Sequence, residues 1–296
     1  MKRISLVLGS GGARGLAHIG VIRCLEDHGF EISYIAGSSM GALIGGIYAA
    51  GKLDTYADWV CELQRRDIVR LLDWSFKRGA ILSGDRIISV LQKLIGQHDI
   101  EDLEIGFTAV ATEIRDHREV WLNRGPLFDA IQASIAMPLV FAPVKRGKMM
   151  LVDGGLINPV PIAPTLNDDT AWTFAVDLNA RSEALPPSQQ EPVTAKDAKS
   201  GFRKSISEFI DNIVSRESED EHDDKYPGPF ELAIDSIDTM HTTISRMKLA
   251  AYAPRLIVGI PRNLCTVFEF HRARELIDFG YQRTEQALEH IVDGRD

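Results

Sequence analysis

An α/β fold with parallel strands is what the first fifty residues predict, from two strand–turn–helix units in succession. In the first, the apolar run Ile4–Leu8 enters the loop Gly9-Ser10-Gly11-Gly12-Ala13-Arg14-Gly15, and a helix follows from Leu16 to His28, ended by Gly29. In the second, a short strand from Tyr34 to Ala36 enters Gly37-Ser38-Ser39-Met40-Gly41 and a small-residue helical run through Ala50. The third observation is bulk. A chain of 296 residues, 45% hydrophobic and 25% charged, has ordinary globular composition and can bury a sizeable core in one large α/β domain or two small ones.

The first loop invites a dinucleotide reading that its spacing does not sustain. The fingerprint Gly-x-Gly-x-x-Gly fails from Gly9 because its sixth position is Arg14; Gly9, Gly11 and Gly15 give only Gly-x-Gly-x-x-x-Gly. The acid expected about 20 residues on is also missing, and the Ser39 turn stands in its place. An anion-binding loop is the better account. Glycines let consecutive backbone N–H groups converge on one point at a helix N-terminus, with the charge of Arg14 beside them. A plain tight β–α turn stays open as the alternative.

The second unit has the order that a nucleophile elbow requires, with Gly37 and Gly41 flanking Ser39 where a side chain would crowd the turn. Ser39 then projects at the N-terminus of a helix whose dipole favours developing negative charge. Two parallel strands would set this turn beside the glycine loop at their carboxyl ends, where open α/β sheets hold ligands. A loop of donors next to an exposed serine is the geometry of an oxyanion hole. Two other readings compete. No charge occurs from Tyr34 to Gly51, and Gly37-xxx-Gly41 and Gly41-xxx-Gly45 mimic a membrane-helix packing motif, although serines and glycines dilute its apolarity. A buried central helix without chemistry also fits.

Helical patterns follow at Thr55–Arg66 and Ser83–Ile95, with Ser83 as an N-cap. Phe107–Ile114 and Glu119–Leu122 predict a hairpin around Arg115-Asp116-His117-Arg118. Pro126 opens a helix that runs to Ser134. Lys145-Arg146-Gly147-Lys148 reads as a turn between strands Phe141–Val144 and Met149–Val152, the second leading into Asp153-Gly154-Gly155. Thr173–Leu178 is a further strand. Ala184 to Ser200 has the composition of a flexible linker. A helical run, Phe202–Val214, precedes the acidic tract of residues 217–224, a solvated loop to which no role is assigned. Phe230–Ala251 is amphipathic, which suits core packing or a lid over a site better than a membrane anchor, the alternative that stays open. Arg255–Ile260 predicts a strand and Phe268–Ile291 a closing helix. The organisation expected is a core over residues 1–180, a linker with helix and acidic tract over 181–226, and C-terminal helices and a strand over 227–296 packing on the same domain.

The net charge of −9 argues against a nucleic-acid partner and against strong adhesion to anionic lipid. Three widely spaced cysteines, Cys24, Cys61 and Cys265, give neither a disulfide framework nor metal spacing and suit a reducing compartment. The apolar part of the N-terminus is too short for a signal peptide, so the expectation is cytoplasmic.

A serine hydroxyl needs a base to become a nucleophile. The histidines after Asp153 are His222, His241, His271 and His290; three lie in helical patterns and one in the acidic tract, so a Ser-His-Asp triad is poorly supported. His18 and His28 lie on the first helix and read as structural or solvated. Asp153 fits better, at a strand end before two glycines. An unperturbed Asp, at about 3.9, is far too acidic to be an effective base in water. It could serve only if held against Ser39, with the oxyanion neutralised by the Gly11 and Gly12 amides and Arg14. An Asp-Gly turn without chemistry is the alternative for this residue.

Together these segments resemble the patatin-like phospholipases, serine-aspartate dyad lipid acyl hydrolases. Gly11-Gly12-Ala13-Arg14-Gly15 is similar to the family's oxyanion loop, Gly37-Ser38-Ser39-Met40-Gly41 to its elbow, and Asp153-Gly154-Gly155 to its Asp-Gly-Gly/Ala motif. The run Ala133-Ser134-Ile135-Ala136-Met137-Pro138-Leu139-Val140-Phe141-Ala142-Pro143 resembles its Ala-Ser…Pro…Phe-x-Pro segment, and Asn158-Pro159 follows the Asp motif as in the family. Ser10 departs from the pattern, which commonly has a third glycine there.

The resemblance implies a three-layer α/β/α fold with a mostly parallel central sheet. It implies that Ser39 attacks an ester carbonyl, that Asp153 accepts the proton, and that Gly11, Gly12 and Arg14 hold the oxyanion, with Gly15, Gly37, Gly41, Gly154 and Gly155 shaping the turns. No metal or organic cofactor is implied. The substrate class is a phospholipid, lysophospholipid or other acyl ester, met in the cytoplasm with transient contact at a membrane surface. A scaffold with the same fold and negligible turnover, and acyl transfer to a thiol or alcohol, stay open as alternatives.

Overall fold

The computed structural model describes residues 2–71, 82–184 and 228–293. The linker beyond Ala184, the helix expected over 202–214 and the acidic tract over 217–224 lie outside the described residues. The chain divides into two compact units, Met1–Glu183 with His241–Asp296, and Ala184–Met240. Of the second, residues 228–240 are described, and from Pro229 they are helical.

The first unit is a mixed α/β domain on one sheet. Its strands are β1 (Lys2–Leu8), β2 (Phe30–Ser38), β3 (Gly106–Glu113), β4 (Arg118–Leu122), β5 (Val144–Arg146), β6 (Met149–Asp153), β7 (Trp172–Ala180) and β8 (Leu256–Pro261). Its helices are α1 (Ala17–Asp27), α2 (Met40–Ala49), α3 (Leu53–Glu62), α4 (Arg65–Leu71), α5 (Asp85–Ile95), α6 (Leu127–Ser134), the later part of α7 (Pro229–Tyr252) and α8 (Ala273–Asp293). Hydrogen-bonded neighbours run β5-β6-β3-β2-β1-β7-β8, with β4 also on β3. The centre, from β3 through β2, β1 and β7 to β8, is parallel.

Parallel strands carry helices on both faces and so are apolar on both. In β1, Ile4, Leu6, Val7 and Leu8 are all fully buried. Val7 and its β7 neighbour Ala175 pack with Val160, Ile162 and, from α7, Leu249. On the opposite face, α2 approaches so closely that a Cβ at Gly45 would lie 2.6 Å from Ile35 and 3.3 Å from Leu8.

One feature of the topology positions the site. β3 pairs in parallel with β2 up to Ser38↔Val110, and antiparallel with β6 from Ala111↔Asp153 onward. β4 pairs with β3 over Ala109–Glu113 and therefore occupies the opposite edge of all those residues. A strand has two edges, so β2 and β6 meet end to end along the remaining one. The last residue of β2 and the last of β6 thus sit opposite consecutive residues of β3.

Several elements differ from the sequence expectation. The uncharged run from Tyr34 to Gly51 is not among them: as the strand–turn–helix reading expects, it divides between β2 and the ten-residue α2, and among the described residues no helix is long and apolar enough to cross a membrane. The single helix expected over Thr55–Arg66 is two, α3 and α4, because Leu63 at φ −67° and ψ 126° is extended. Lys145 and Arg146 are β5 rather than turn, since Gly147 at φ 61° reverses the chain with Lys148 alone; Phe141 makes only an isolated bridge to Leu82. Gly84, not Ser83, is the N-cap of α5, although the Ser83 hydroxyl accepts from the Asp85 amide at 3.2 Å.

Candidate active site

Ser39 occupies the single residue between β2 and α2. Its φ of 54° and ψ of −122° are strained for a residue with a side chain, and such strain gathers at functional positions. The turn is possible because its neighbours lack side chains. A Cβ at Gly41 would lie 1.9 Å from the Leu8 carbonyl oxygen, and one at Gly37 would lie 2.4 Å from the Gly41 carbonyl group. The Ser39 carbonyl accepts from the Ala42 and Leu43 amides, which opens α2 directly behind the hydroxyl. The N-terminal end of a helix dipole therefore faces this position.

Asp153 arrives from the other end of the same β3 edge. Its amide donates to the Ala136 carbonyl at 2.9 Å, and its carbonyl accepts from the Thr112 hydroxyl at 2.9 Å. One carboxylate oxygen, Oδ1, accepts from the Gly155 amide at 2.7 Å. The other, Oδ2, accepts from the Ser39 hydroxyl at 2.6 Å. No histidine stands between them. Ser39 is 8% exposed and Asp153 is 4% exposed. Burial disfavours the charged carboxylate and raises its pKa from the ordinary range to about 6, against the opposing pull of the Ser39 hydroxyl and the Gly155 amide. Gly154 fits where β2, β3 and β6 converge; a Cβ there would lie 2.0 Å from the Val110 carbonyl oxygen and 2.5 Å from Ser38 Oγ. At Gly155 a Cβ would lie 2.3 Å from Ser10 Oγ, so the side chain that departs from the glycine pattern fills that space.

The glycine loop lies beside the elbow, because β1 ends in register with it at Leu8↔Gly37 and a Cβ at Gly15 would meet Met40 Cβ at 2.4 Å. The loop's amides divide into two sets. Gly9 donates to the Val176 carbonyl, Ser10 to Pro159 and Ala13 to Val267. Among the described residues the Gly11 and Gly12 amides have no carbonyl acceptor. Gly12 takes φ 57°, which glycine adopts without steric cost, and opens the 3-10 turn Gly12–Leu16.

The Arg14 side chain is buried and tied to the rest of the fold: Nη1 donates to the Arg262 carbonyl at 2.9 Å and Nη2 to Asn179 Oδ1 at 3.5 Å. Asn179 in turn donates to the Ser10 carbonyl at 3.1 Å, so the end of β7 grips the loop at two points. Behind the loop, the fully buried His18 faces the Gly9 carbonyl at 2.9 Å through Nε2. A carbonyl can only accept, which makes Nε2 the protonated nitrogen. Burial lowers the pKa of His18 to about 4, so the ring is neutral at physiological pH.

Thr112 and Asn179 carry these supports, as does Ser134, whose hydroxyl accepts from the Ser39 amide; no local pattern identifies them, and the family-like segment that contains Ser134 marks no role for it. Among the described residues no cluster of three or more His, Cys, Asp or Glu side chains is placed to hold a metal ion. A hydroxyl donating to a buried carboxylate, beside amides with no carbonyl partner, is suited to acyl transfer through oxygen.

The chain is similar to several known proteins. The family model described as patatin-like phospholipase matches residues 6–166. An uncharacterised NTE family protein of Mycobacterium tuberculosis is 38% identical, over 97% of this chain and 91% of that protein. The lysophospholipase NTE1 of Yarrowia lipolytica is 30% identical over 62% of this chain, a match that covers 13% of that much longer protein. The solved structure of VipD from Legionella pneumophila, 14% identical, covers 98% of this chain and 67% of its own with a TM-score of 0.46.

Proposed function

Because the chain belongs to the patatin-like phospholipase family, we propose that it hydrolyses acyl esters of lipids, with Ser39 as nucleophile and Asp153 as its base. The observation that carries this reading is the 2.6 Å hydrogen bond from the Ser39 hydroxyl to Asp153 Oδ2. As Ser39 Oγ attacks the ester carbonyl carbon, its proton passes to Asp153 along that bond. The carbonyl oxygen becomes an oxyanion and meets the Gly11 and Gly12 amides. The tetrahedral intermediate then collapses, and the Asp153 proton goes to the departing alkoxide. Water attacks the acyl-enzyme with Asp153 again as base, which releases the fatty acid and restores the serine.

Two features make a carboxylate adequate for this work. Its pKa of about 6 leaves it ionised at neutral pH, yet far more basic than a solvated Asp. The oxyanion amides supply the rest, since losing one such donor typically costs about 3–4 kcal/mol of transition-state stabilisation. Arg14, expected from the sequence to help hold the oxyanion, instead turns its guanidinium to the Arg262 carbonyl and Asn179, so in this reading it holds the loop and the amides hold the oxyanion. Leu139, which is 43% exposed at φ 71° in the segment after Ala136, contributes an apolar contact for the acyl chain.

A lysophospholipid is the preferred substrate class, supported by the name of the Yarrowia lipolytica relative. The protein would meet it at a membrane surface, from the cytoplasm. The test is hydrolysis of p-nitrophenyl esters and of lysophosphatidylcholine. Ser39→Ala and Asp153→Asn are each expected to lower kcat by about 1,000-fold or more with the fold intact. Wild-type rates in both variants would refute the assignment. Product analysis with added alcohols or thiols separates hydrolysis from acyl transfer.

A further inference from the structure

The two reactive residues come from different strands, yet one short stretch of chain holds both backbones. The Ser39 amide donates to Ser134 Oγ at 2.9 Å. Two residues on, the Ala136 carbonyl accepts from the Asp153 amide at 2.9 Å. We infer that the segment 134–136, at the end of α6, is the gauge that sets the separation of Ser39 and Asp153, with Ser134 as a positioning residue for the reaction.

The chemistry of the hydroxyl makes Ser134 a directional part. A serine has one proton to donate, and Ser134 gives it to the Val110 carbonyl at 2.6 Å. A lone pair is thereby aimed at the Ser39 amide. Val110 is the β3 residue opposite Ser38, and its neighbour Ala111 is opposite Asp153. The hydroxyl therefore bolts the elbow to the β3 position where β2 and β6 meet. Ser134 is fully buried, so no water can substitute in the folded state. The segment is itself immobilised, because Leu127, Phe128, Ala130 and Ile131 of α6 are packed in the core. The strained backbone of Ser39 gives the device its purpose. An amide at φ 54° lies outside the β-ladder and would relax if its acceptor were removed.

This inference rests on the proposed role of Ser39, and its test separates the two. Ser134→Ala removes the acceptor; Ser134→Thr retains the hydroxyl, and Ser134→Cys retains a weak donor and acceptor in nearly the same volume. Misplacement of reacting groups by about 1 Å can cost on the order of 100-fold. Ser134→Ala is therefore expected to lower kcat about 10- to 100-fold at nearly constant KM, with Ser134→Thr or Ser134→Cys recovering part of the loss.

A pH profile reads the positioning itself. The Ser39 hydrogen bond pulls the Asp153 pKa down, so loosening it moves the acid limb of kcat/KM upward from about 6. A purely structural role would lower thermal stability and leave that limb in place. Should Ser134→Ala not fold, the Ser134→Cys profile and Ser39 amide exchange in the wild type decide. Wild-type kcat and an unmoved limb in a folded variant, or rapid exchange of that amide, would overturn the positioning role. Activity that survives Ser39→Ala would overturn the nucleophile assignment instead.

Discussion

Asp153 is held in two ways at once: by burial, which favours its protonated form, and by two donors, which favour the carboxylate. Burial wins, and the pKa rises to about 6. Two linked consequences follow. As the proposed base it must be ionised, so kcat/KM is expected to climb tenfold per pH unit below about 6 and level off above it. Its stability contribution runs the other way. A carboxyl whose folded pKa lies above its unfolded value of about 3.9 binds its proton more tightly in the native state, so stability falls as pH rises from about 4 through about 6. Asp153→Asn should therefore leave the melting temperature nearly unchanged at pH 4. Relative to wild type it should gain up to roughly 3 kcal/mol at pH 8, while abolishing turnover. A denaturation series on the two proteins from pH 4 to 8 checks this; a variant less stable than wild type at pH 8 would contradict it. At this scale the sequence is informative wherever function requires a short string. Ser39, Asp153, Gly11 and Gly12 sit in short glycine-marked turns that can be read locally, although the close approaches that require most of those glycines, Gly41 on Leu8 and Gly154 on Val110 among them, come from distant parts of the chain. The residues that support them are not of that kind: Ser134 reaches Ser39 across 95 positions, and Arg14 reaches the Arg262 carbonyl across 248. Such bonds leave no periodicity or spacing to read.

Among the elements, the strand–turn–helix units were readable because burial imposes apolar runs on strands and glycine marks the turns. Boundaries were less so. A helical pattern over Thr55–Arg66 carries no sign of the extended Leu63 that splits it, since leucine favours helix and only tertiary packing overrides it. Nor does the sequence show that β2 and β6 share one edge of β3, because that depends on which edge β4 takes. The closeness of α1 and α8 was equally hidden. A Cβ at Gly20 would lie 1.9 Å from the Ile277 carbonyl oxygen, and one at Gly280 would lie 2.1 Å from that of Ala17. Backbone meets backbone at this crossing, and no side-chain rotation can relieve a methyl group there. Gly20→Ala is thus expected to destabilise the domain by about 1–3 kcal/mol, read as a lower urea midpoint with an unchanged slope. An unaltered midpoint would mean that the helices separate at little cost.

For the molecule as a whole, one topological fact joins the parallel sheet to the proposed site: two strands stop head to head against a third, and each brings one member of the Ser39–Asp153 pair to the gap. The glycine loop and the start of α2 lie at the same end, at the carboxyl ends of β1 and β2. Composition placed the chain among globular proteins and the strand–turn–helix units gave the α/β class, but only the assembled sheet brings the Ser39 hydroxyl to 2.6 Å from the Asp153 carboxylate. The most direct measurement is mass-spectrometric mapping of the site labelled by a fluorophosphonate. A hydroxyl activated by a carboxylate should form one stable adduct on the peptide that carries Ser39. The labelling rate should fall at least about 100-fold in Asp153→Asn, with no adduct in Ser39→Ala. A folded wild-type protein that takes up no label at Ser39, or labels equally fast without the carboxylate, would contradict the account.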